Sequence, residues 1–322
     1  MNQSRLPHVL CMIAMAAALP AFAQTYPAKP IRIVVPFPPG GTSDILARAI
    51  GQKLTEAWKQ QVIVDDRPGA GANIGAEIVA KAPSDGYTLF ILSTIHTINP
   101  SLYSKLAYDP VKDFSPITLI ADTSQVLVVH PSLPVRTVKE FIAYAKKHPG
   151  ALNYSSAGNG SQPHLTAELF KAKTGIDLVH VPYKGAPPAM TDLLAGQVAL
   201  TFATAPSAVP FVKNGKLHAL GVSTAQRIAA LPDVPTIAEA GVPGFEAAGW
   251  NGLVGPAGMP AAVVDHVHAA VVKIVHVPAM ASFLSGQGAD PHTTTPSEFG
   301  VYIKSEVVKW AQVVKDSGAR ID

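Results

Sequence analysis

The chain alternates between short apolar runs and longer segments in which apolar residues return every three or four positions. The short runs predict strands at residues 31–35, 62–64 and 87–92. After the first run, the apolar residues from Ile45 to Trp58 share one helix face, with Thr42 or Ser43 as the predicted N-cap. Residues 73–82 predict a second helix. Strands separated by helices are typical of mostly parallel sheets covered by helices on both faces.

The same alternation starts again near residue 125. Predicted strands lie at residues 126–129, 152–155, 179–181, 198–202 and 217–222. Helices are predicted at residues 137–147, opened by a capping box of Thr137 and Glu140, and at residues 162–173. The last 70 residues are mainly helical, at residues 261–275 and 296–315. We therefore predict an α/β fold.

The first 23 residues predict a cleavable signal peptide. Arg5 supplies a basic start, residues 9–19 are apolar, and Ala21-Phe22-Ala23 has the small-x-small pattern of a cleavage site after Ala23. The apolar run is shorter than the roughly 20 residues that a membrane-spanning helix needs. Cys11 lies within this segment, so the predicted mature chain has no disulfide, no thiol nucleophile and no cysteine-based metal site.

Composition and charge exclude several classes of function. The 322 residues are 48% hydrophobic, which is enough for a packed core, and their number favours two domains. The 25 basic and 22 acidic residues give a formal net charge of +3 without a long run of either sign. Such a chain has no basic stripe for nucleic acid and no polybasic patch for a membrane surface.

The candidate chemistry lies where a strand, a glycine-rich polar loop and a helix follow one another. This happens twice, in the first loop (residues 37–44) and in the second loop (residues 155–161). A helix N-terminus offers unpaired backbone N–H groups and a partial positive charge, and glycine lets a ligand approach closely. Two such ends facing each other would hold an anion. Such turns are also common in any α/β fold, and this alternative stays open here.

Other motifs are weaker. The glycines of residues 69–75 resemble a dinucleotide fingerprint, but the third glycine comes one position late. His96 and His164 are the better histidine candidates, and hydrogen bonds to a ligand or to the backbone are more plausible for them than general-base catalysis. A periplasmic hydrolase or isomerase using either one remains an alternative, although no set of nucleophile, base and acid is recognisable. We expect no cofactor and no metal.

Many ordered motifs resemble one family. They are residues 26–41, 67–71, 73–77, 85–89, 99–103, 152–158, 180–185 and 231–236, followed by Trp250 and by Pro256-Ala257-Gly258. Together they span nearly the whole predicted mature chain. The sequence resembles the Bug-type receptors, the periplasmic solute-binding proteins of tripartite tricarboxylate transporters.

The resemblance implies a two-lobed α/β binding protein of the Venus-flytrap type, with a mixed sheet in each lobe and two hinge crossings near residues 122–126 and 245–250. Residues 24–124 and 249–322 would form lobe 1, and residues 125–248 would form lobe 2. It implies a non-enzymatic periplasmic monomer that captures a small carboxylate, either a dicarboxylate or an aromatic acid. The receptor would pass this ligand to a membrane permease. A sensor kinase is the alternative partner.

The resemblance also implies which residues contact the ligand. From lobe 1 they are Phe37, Pro38, Gly40, Gly41, Thr42, Asp44, Ser93, Thr94 and His96; from lobe 2 they are Ser155, Ser156, Gly158, Gly160, Ser161, His164, Tyr183, Lys184 and Thr204. Some relatives carry an acidic residue within the stretch corresponding to residues 202–205, where it meets a ligand amine. This chain has none there, so a ligand with a free ammonium group is disfavoured.

Overall fold

The computed structural model describes residues 26–321, which contain two β-sheets flanked by helices. The strands are β1 (Ile31–Val35), β2 (Val62–Asp66), β3 (Thr88–Ser93), β4 (Phe114–Thr123), β5 (Gln125–Val129), β6 (Asn153–Ser156), β7 (Val179–Pro182), β8 (Leu200–Thr204), β9 (His218–Val222), β10 (Gly249–Pro256) and β11 (Ala289–Pro291). The helices are α1 (Thr42–Trp58), α2 (Asn73–Ala80), α3 (Thr94–Leu102), α4 (Val138–Lys147), α5 (Gln162–Thr174), α6 (Ala186–Leu194), α7 (Ala205–Lys213), α8 (Ala261–Val275), α9 (Pro278–Gly286) and α10 (Pro296–Ser317). The predicted signal peptide lies outside the described residues.

The first sheet has the strand order β11-β4-β10-β3-β1-β2. Strand β1 pairs in parallel with β2 and β3, whereas β10 runs antiparallel to β3 and β4, and β11 runs antiparallel to β4. The chain leaves this sheet after Thr123 and returns at Gly249, so β10 enters from the opposite direction.

The second sheet has the order β7-β6-β8-β5-β9. Strand β6 is parallel to β7 and β8, and β5 is antiparallel to β8 and β9. Both sheets are therefore mixed. The mixed sheets that the family resemblance implied are confirmed. The expectation of mostly parallel sheets from the strand–helix alternation was wrong, because β5 and β10, which each enter directly from the other sheet, and the edge strand β11 run antiparallel to their neighbours.

Most predicted strands and helices are present, with boundaries that shift by one to two residues. One local prediction was wrong: the N-cap of α1 is Gly41, and Thr42 and Ser43 already lie within the helix. The predicted capping box of α4 is half formed. Thr137 accepts from the Glu140 N–H, but the Glu140 carboxylate accepts from the backbone N–H of Arg136 rather than of Thr137.

The longest helix, α10, packs against elements of both sheets. Its residues Phe299 and Ile303 lie in a core cluster with Trp250 and the first sheet, whereas Trp310 and Val313 share a cluster with residues of the second sheet. Between these two groups lies Glu306, which is 2% exposed and accepts hydrogen bonds from the indole nitrogens of Trp250 and Trp310, both at 2.9 Å. Helix α10 therefore contacts the cores of both sheets through its apolar residues, and the buried Glu306 carboxylate ties it to β10.

Among residues 26–321, no single helix combines the length and the apolar composition needed to cross a membrane. Helices α8 and α9 satisfy both criteria only when taken together, and they meet at a bend of 76°. The inner face of α8, with Val267 and Val271, is buried in the core of the first sheet.

Candidate ligand-binding site

The first loop lies at the carboxyl edge of the first sheet. Strands β1 and β3 are parallel neighbours, so the first loop after β1 and the pair Ser93-Thr94 after β3 emerge at the same edge. Pro38, Gly40 and Gly41 are exposed, and Phe37 and Thr42 are half-buried. This part of the candidate site is therefore open to solvent.

Asp44 holds the first loop. It is the third residue of α1, and its Oδ2 accepts a hydrogen bond of 2.8 Å from the backbone N–H of Gly40. Its Oδ1 lies 2.6 Å from Nε of Arg48, and Arg48 also pairs with Asp66 at 2.7 Å. Burial and the nearby Asp44 carboxylate raise the pKa of Asp66, while Arg48 opposes the shift. The Asp44 carboxylate thus shapes the loop and is only 3% exposed.

His96 accepts a backbone N–H at the start of α3, as Asp44 does at the start of α1. Its Nδ1 accepts from the backbone N–H of Ser93 at 3.0 Å, and its ring packs against Phe90 and Tyr108. Burial lowers the pKa of His96 to about 4, so the ring is neutral at pH 7. His96 is fully buried, and its Nδ1 also lies 3.3 Å from the Ser93 hydroxyl.

Strand β10 closes the back of this edge. The backbone N–H of Trp250 donates to Oγ1 of Thr94 at 2.9 Å, and Oγ of Ser43 lies 2.5 Å from Oδ1 of Asn251. These contacts fix the starts of α1 and α3 relative to each other. Sequence reasoning missed Asn251, because its role depends on a pairing between residues more than 200 positions apart.

The second loop lies at the carboxyl edge of the second sheet, where β6, β7 and β8 end together. The backbone N–H groups of Tyr183 and Gly185 donate to the carbonyls of Ser156 and Ala157, so the loops after β6 and β7 continue the pairing of their strands. Gly158 has φ +124° and approaches the Tyr183 carbonyl closely.

His164 holds the second loop as Asp44 holds the first. It is the third residue of α5, and its Nδ1 accepts from the backbone N–H of Gly160 at 3.1 Å. Its ring stacks on His180 with a centroid distance of 4.0 Å, and His180 stacks in turn on Tyr154 at 4.8 Å. Burial lowers the pKa of His164, and burial together with His164 lowers that of His180 to about 4.

The serines of the second loop are already engaged. Ser156 Oγ lies 2.6 Å from Nε2 of His180 and accepts from the Gly158 N–H at 3.1 Å. Ser161 Oγ donates to the Gly158 carbonyl at 2.6 Å, and Ser155 Oγ donates to the Ala189 carbonyl of α6. His180 was not among the predicted contacts, although it begins the motif of residues 180–185.

The remaining predicted residues of this half differ in exposure. Tyr183 is half-buried and donates to Asp192 at 2.6 Å, and this hydrogen bond raises the pKa of Tyr183 to about 12. Lys184 is exposed. Thr204 ends β8, and its Oγ1 lies 2.9 Å from the hydroxyl of Ser207.

Several helices at the two edges start without a side-chain cap, whereas α3 starts with a capping box of Ser93 and His96. No side chain caps α1, α5, α6 or α7, whereas Thr137 and Thr295 cap α4 and α10. The first and second loops contain no lysine or arginine. Any anion held by these loops would therefore be met by backbone N–H groups and hydroxyls.

The two halves meet near the second loop. A Cβ built on Gly160 would lie 2.7 Å from Cδ1 of Leu102, the last residue of α3. The second loop is therefore packed against the first half of the molecule, whereas a Cβ on Gly40 would have no neighbour within 4 Å.

The other features singled out in the sequence serve packing. The glycines of residues 69–75 lie in a short turn and in the first turn of α2, where Gly71 lies against Tyr103 and Gly75 against Pro36. A cavity of about 680 Å³ between α5 and α10 is lined by charges of both signs, among them Lys171, Glu168 and Lys309, and by none of the predicted contacts. Within residues 26–321, no group of three His, Cys, Asp or Glu side chains could hold a metal ion.

Comparison with known proteins identifies the family. Residues 46–319 match the family model of the tripartite tricarboxylate transporter family receptor, TctC. The chain belongs to this receptor family. Protein BugT of Bordetella pertussis is 35% identical over 325 residues, which cover 100% of both chains.

Two solved structures support the same assignment. The structure of R. palustris Rpa4515 with adipate is 38% identical, covers 92% of this chain and 100% of its own, and superposes with a TM-score of 0.79. MatC from Rhodopseudomonas palustris with bound malate is 32% identical, covers 90% and 100%, and gives a TM-score of 0.74. The TctC-family chain described here thus has the α/β periplasmic-binding-protein fold with two mixed sheets, and it is a solute-binding receptor.

Proposed function

We propose that this TctC-family receptor captures a small carboxylate between the first and second loops and delivers it to a tripartite tricarboxylate-type permease. The observation that carries the proposal is the pair of strand–loop–helix turns on separate sheets, each ending in a helix without a side-chain cap. The solved relatives that hold adipate and malate support the choice of a dicarboxylate as the first ligand class to test.

Recognition of the carboxylate uses hydrogen bonds rather than an ion pair. The loops offer helix N-terminal N–H groups, such as those of Thr42 and His164, and no basic side chain. Each hydrogen bond to a charged group contributes about 1.5–3 kcal/mol. The hydroxyl of Ser156 is committed to His180 and Gly158, so it serves mainly to shape the loop.

Closure of the two lobes follows from the placement of the loops. Because the loops belong to different sheets, a small ligand reaches both only when the sheets approach each other. We propose the lobes as residues 24–124 with 249–322, and residues 125–248. Small-angle scattering with and without a saturating ligand measures this: a ligand that binds without reducing the radius of gyration contradicts it.

The test of carboxylate recognition uses an acid and its primary amide. A thermal-shift screen of mono-, di- and aromatic carboxylates first finds an acid that binds, and calorimetry then compares it with the matching amide. We expect the amide to bind at least about tenfold more weakly, since one hydrogen bond to a charge is worth more than about 1.4 kcal/mol. Equal affinities for the acid and its amide would show that the loops do not recognise the carboxylate group.

The proposed location is the periplasm, reached through cleavage after Ala23. The intact mass of protein from a periplasmic extract should correspond to a chain that starts at Gln24. A retained or lipidated N-terminus contradicts this. Delivery to a permease predicts that the loaded receptor co-purifies with permease subunits and that the empty receptor does so less well.

One contact resembles a catalytic pair and favours a second candidate, a hydrolase. Ser156 Oγ and His180 Nε2 are 2.6 Å apart, as in a nucleophile and its base. However, Ser156 is only 1% exposed and its hydroxyl already accepts the Gly158 N–H. We propose that the pair is structural, and recovery of a bound ester or amide unchanged after long incubation would confirm this.

A further inference from the structure

Gln125 is a fully buried amide without a hydrogen-bond partner for its side chain. It is 0% exposed, and neither its Oε1 nor its Nε2 has a partner among residues 26–321. Its backbone N–H, in contrast, donates to Ser223 Oγ at 2.9 Å. A buried amide with both groups unpaired destabilises a fold by about 1–3 kcal/mol for each group, so such groups are normally satisfied by ordered water or by a ligand.

The position of Gln125 places this amide at the carboxyl edge of the second sheet. Gln125 opens β5 and pairs with Thr204, the last residue of β8. Side chains alternate along a strand, so Gln125 shares a face with Leu127, and Thr204 shares it with Phe202. Leu127 and Phe202 belong to the core cluster that α5 covers. Gln125 and Thr204 therefore lie on the same face, one row nearer the cleft.

Helix α5 brings two more unpaired polar groups to the same row. Phe170 of α5 contacts Phe202 at a ring distance of 5.6 Å. Thr166 lies one helical turn nearer the N-terminus of α5 than Phe170, about 5.4 Å along the helix axis. This distance is close to the rise of about 6.6 Å from Phe202 to Thr204 along β8, so Thr166 lies at the level of Thr204. Thr166 is 0% exposed and its Oγ1 has no partner within the described chain. Another turn on, Nε2 of Gln162 is also buried without a partner there.

Strand β10 of the first sheet packs against the Gln162 end of this row of polar side chains. A Cβ on Gly249, the first residue of β10, would lie 2.6 Å from Nε2 of Gln162 and would also overlap Thr123. Only glycine lets β10 approach the Gln162 amide so closely. The row of Gln125, Gln162 and Thr166 thus lies between the second sheet and α5, and its Gln162 end meets β10 of the first sheet at Gly249.

We propose that Gln125, Gln162 and Thr166 form an uncharged subsite that binds a hydroxyl group of the carboxylate ligand. The inference rests on the proposed function and names the ligand class more narrowly, as hydroxylated carboxylates. A hydroxyl donates one hydrogen bond and accepts others, and an amide pairs with both roles through Oε1 and Nε2. The three side chains carry no charge, so an ammonium group or a second carboxylate would be buried here without a counter-ion.

The experiment compares hydroxylated acids with the same acids lacking the hydroxyl. Calorimetry measures succinate against malate, adipate against 2-hydroxyadipate, and benzoate against hydroxybenzoates, with wild type, Gln125→Met and Thr166→Val. In the pair that binds, the hydroxylated acid should bind at least about tenfold more tightly to wild type. Gln125→Met should reduce this ratio to below about threefold and leave the affinity for the acid without the hydroxyl nearly unchanged.

Gln61→Met is the matched control, since Gln61 is exposed and precedes β2 at the opposite end of the first sheet. It should leave the ratio unchanged. If Gln125→Met fails to fold, Thr166→Val, which removes the hydroxyl at nearly constant volume, carries the test. If no acid binds to wild type, the proposed function is overturned. If acids bind but wild type has nearly equal affinities for the hydroxylated acid and the acid without the hydroxyl, the subsite is overturned. It is also overturned if the preference for the hydroxylated acid is the same in Gln125→Met and Thr166→Val as in wild type. Either result would mean that the row holds water only.

Discussion

The first and second loops have the same local construction and opposite surroundings. In each, a glycine with positive φ, Gly40 at +85° and Gly160 at +71°, precedes the N-cap of a helix. In each, the third helical residue accepts the N–H of that glycine through its side chain, at 2.8 Å from Asp44 and 3.1 Å from His164. Only the first of these acceptors carries a charge.

The surroundings explain the choice of acceptor. Asp44 is paired with Arg48 beside an exposed loop, so its charge is balanced. His164 is buried against His180 and the loop packs on Leu102, where a carboxylate would have no counter-ion and would repel an anionic ligand. The comparison teaches that a helix start can be held by charge on the open side of a cleft and needs a neutral acceptor on the closed side.

The largest expected effect is a difference in stability between alanine variants of Gly40 and Gly160. Gly40→Ala and Gly160→Ala each place a Cβ in a left-handed conformation, which destabilises by about 1–2 kcal/mol. Gly160→Ala also overlaps Leu102, which adds about 1–3 kcal/mol. Urea unfolding of both variants measures the difference. Equal losses would mean that the second loop is not packed against α3 in solution.

The next effect is on pH dependence. His96 and His180 have a pKa of about 4 in the folded protein, against about 6.5 when unfolded, so the unfolded chain binds more protons between these values. The contribution of these two histidines to stability should be constant above pH 6.5 and fall as the pH decreases towards 4. At pH 5 the buried His96 alone accounts for about 2 kcal/mol, and the half-exposed His180 for less.

Melting temperatures at pH 7.5 and 5 check this expectation. The decrease on acidification should be smaller in His180→Gln than in wild type, because that variant removes one of the histidines that the fold keeps neutral. A melting temperature that rises on acidification, or an unchanged slope in the variant, contradicts the account of the second loop.

Exchanging the charge of the acceptors should change ligand affinity. His164→Asp places a carboxylate beside the second loop, so a carboxylate ligand should bind about tenfold more weakly. Asp44→Asn keeps an oxygen acceptor for Gly40 and removes a charge that Arg48 already balances, and it should change affinity by less than about threefold. Calorimetry with one bound acid measures both. If the two variants weaken binding equally, the neutral acceptor has no bearing on the ligand.

The smallest expected effect is that of salt. Because neither loop contains lysine or arginine, affinity should change less than about twofold between about 0.02 and about 0.2 M sodium chloride. A strong decrease would indicate that exposed Lys184 contacts the ligand, and Lys184→Met would then abolish the salt dependence.

Local sequence signals predicted strands β1 to β3 and β5 to β9, helices α1, α2, α4, α5, α8 and α10, and the two loops, since hydrophobic period and glycine placement act over a few residues. They missed strands β4, β10 and β11 and helices α3, α6, α7 and α9. They also suggested backbone hydrogen bonds for His96 and His164, which the structure shows. The predicted N-cap of α1 was wrong because Thr42 and Ser43 are typical cap residues, whereas the helix starts from Gly41, whose carbonyl accepts the Ile45 N–H at 3.0 Å.

Features that depend on distant segments could not be predicted. Asn251 meets Ser43 only because β10 enters the first sheet between β3 and β4. Gln125 looks like an ordinary polar residue at the start of a strand, and its burial depends on α5, which covers that face of the second sheet. The span of α10 across both sheets likewise depends on tertiary packing, because its sequence shows only a continuous helix.

The two tryptophans that donate to the buried Glu306 carboxylate are intrinsic fluorescent probes of the receptor. Of the three tryptophans in the chain, Trp250 packs in a core of the first sheet and Trp310 in the cluster of the second, and both indoles donate to the same oxygen. The third, Trp58, stacks on His266 at the first sheet. Trp250, Trp310 and Glu306 all belong to the proposed lobe 1, and of these only Trp310 packs in the cluster of the second sheet. We therefore expect a movement of the second sheet to change intrinsic fluorescence through the surroundings of Trp310, without an attached dye.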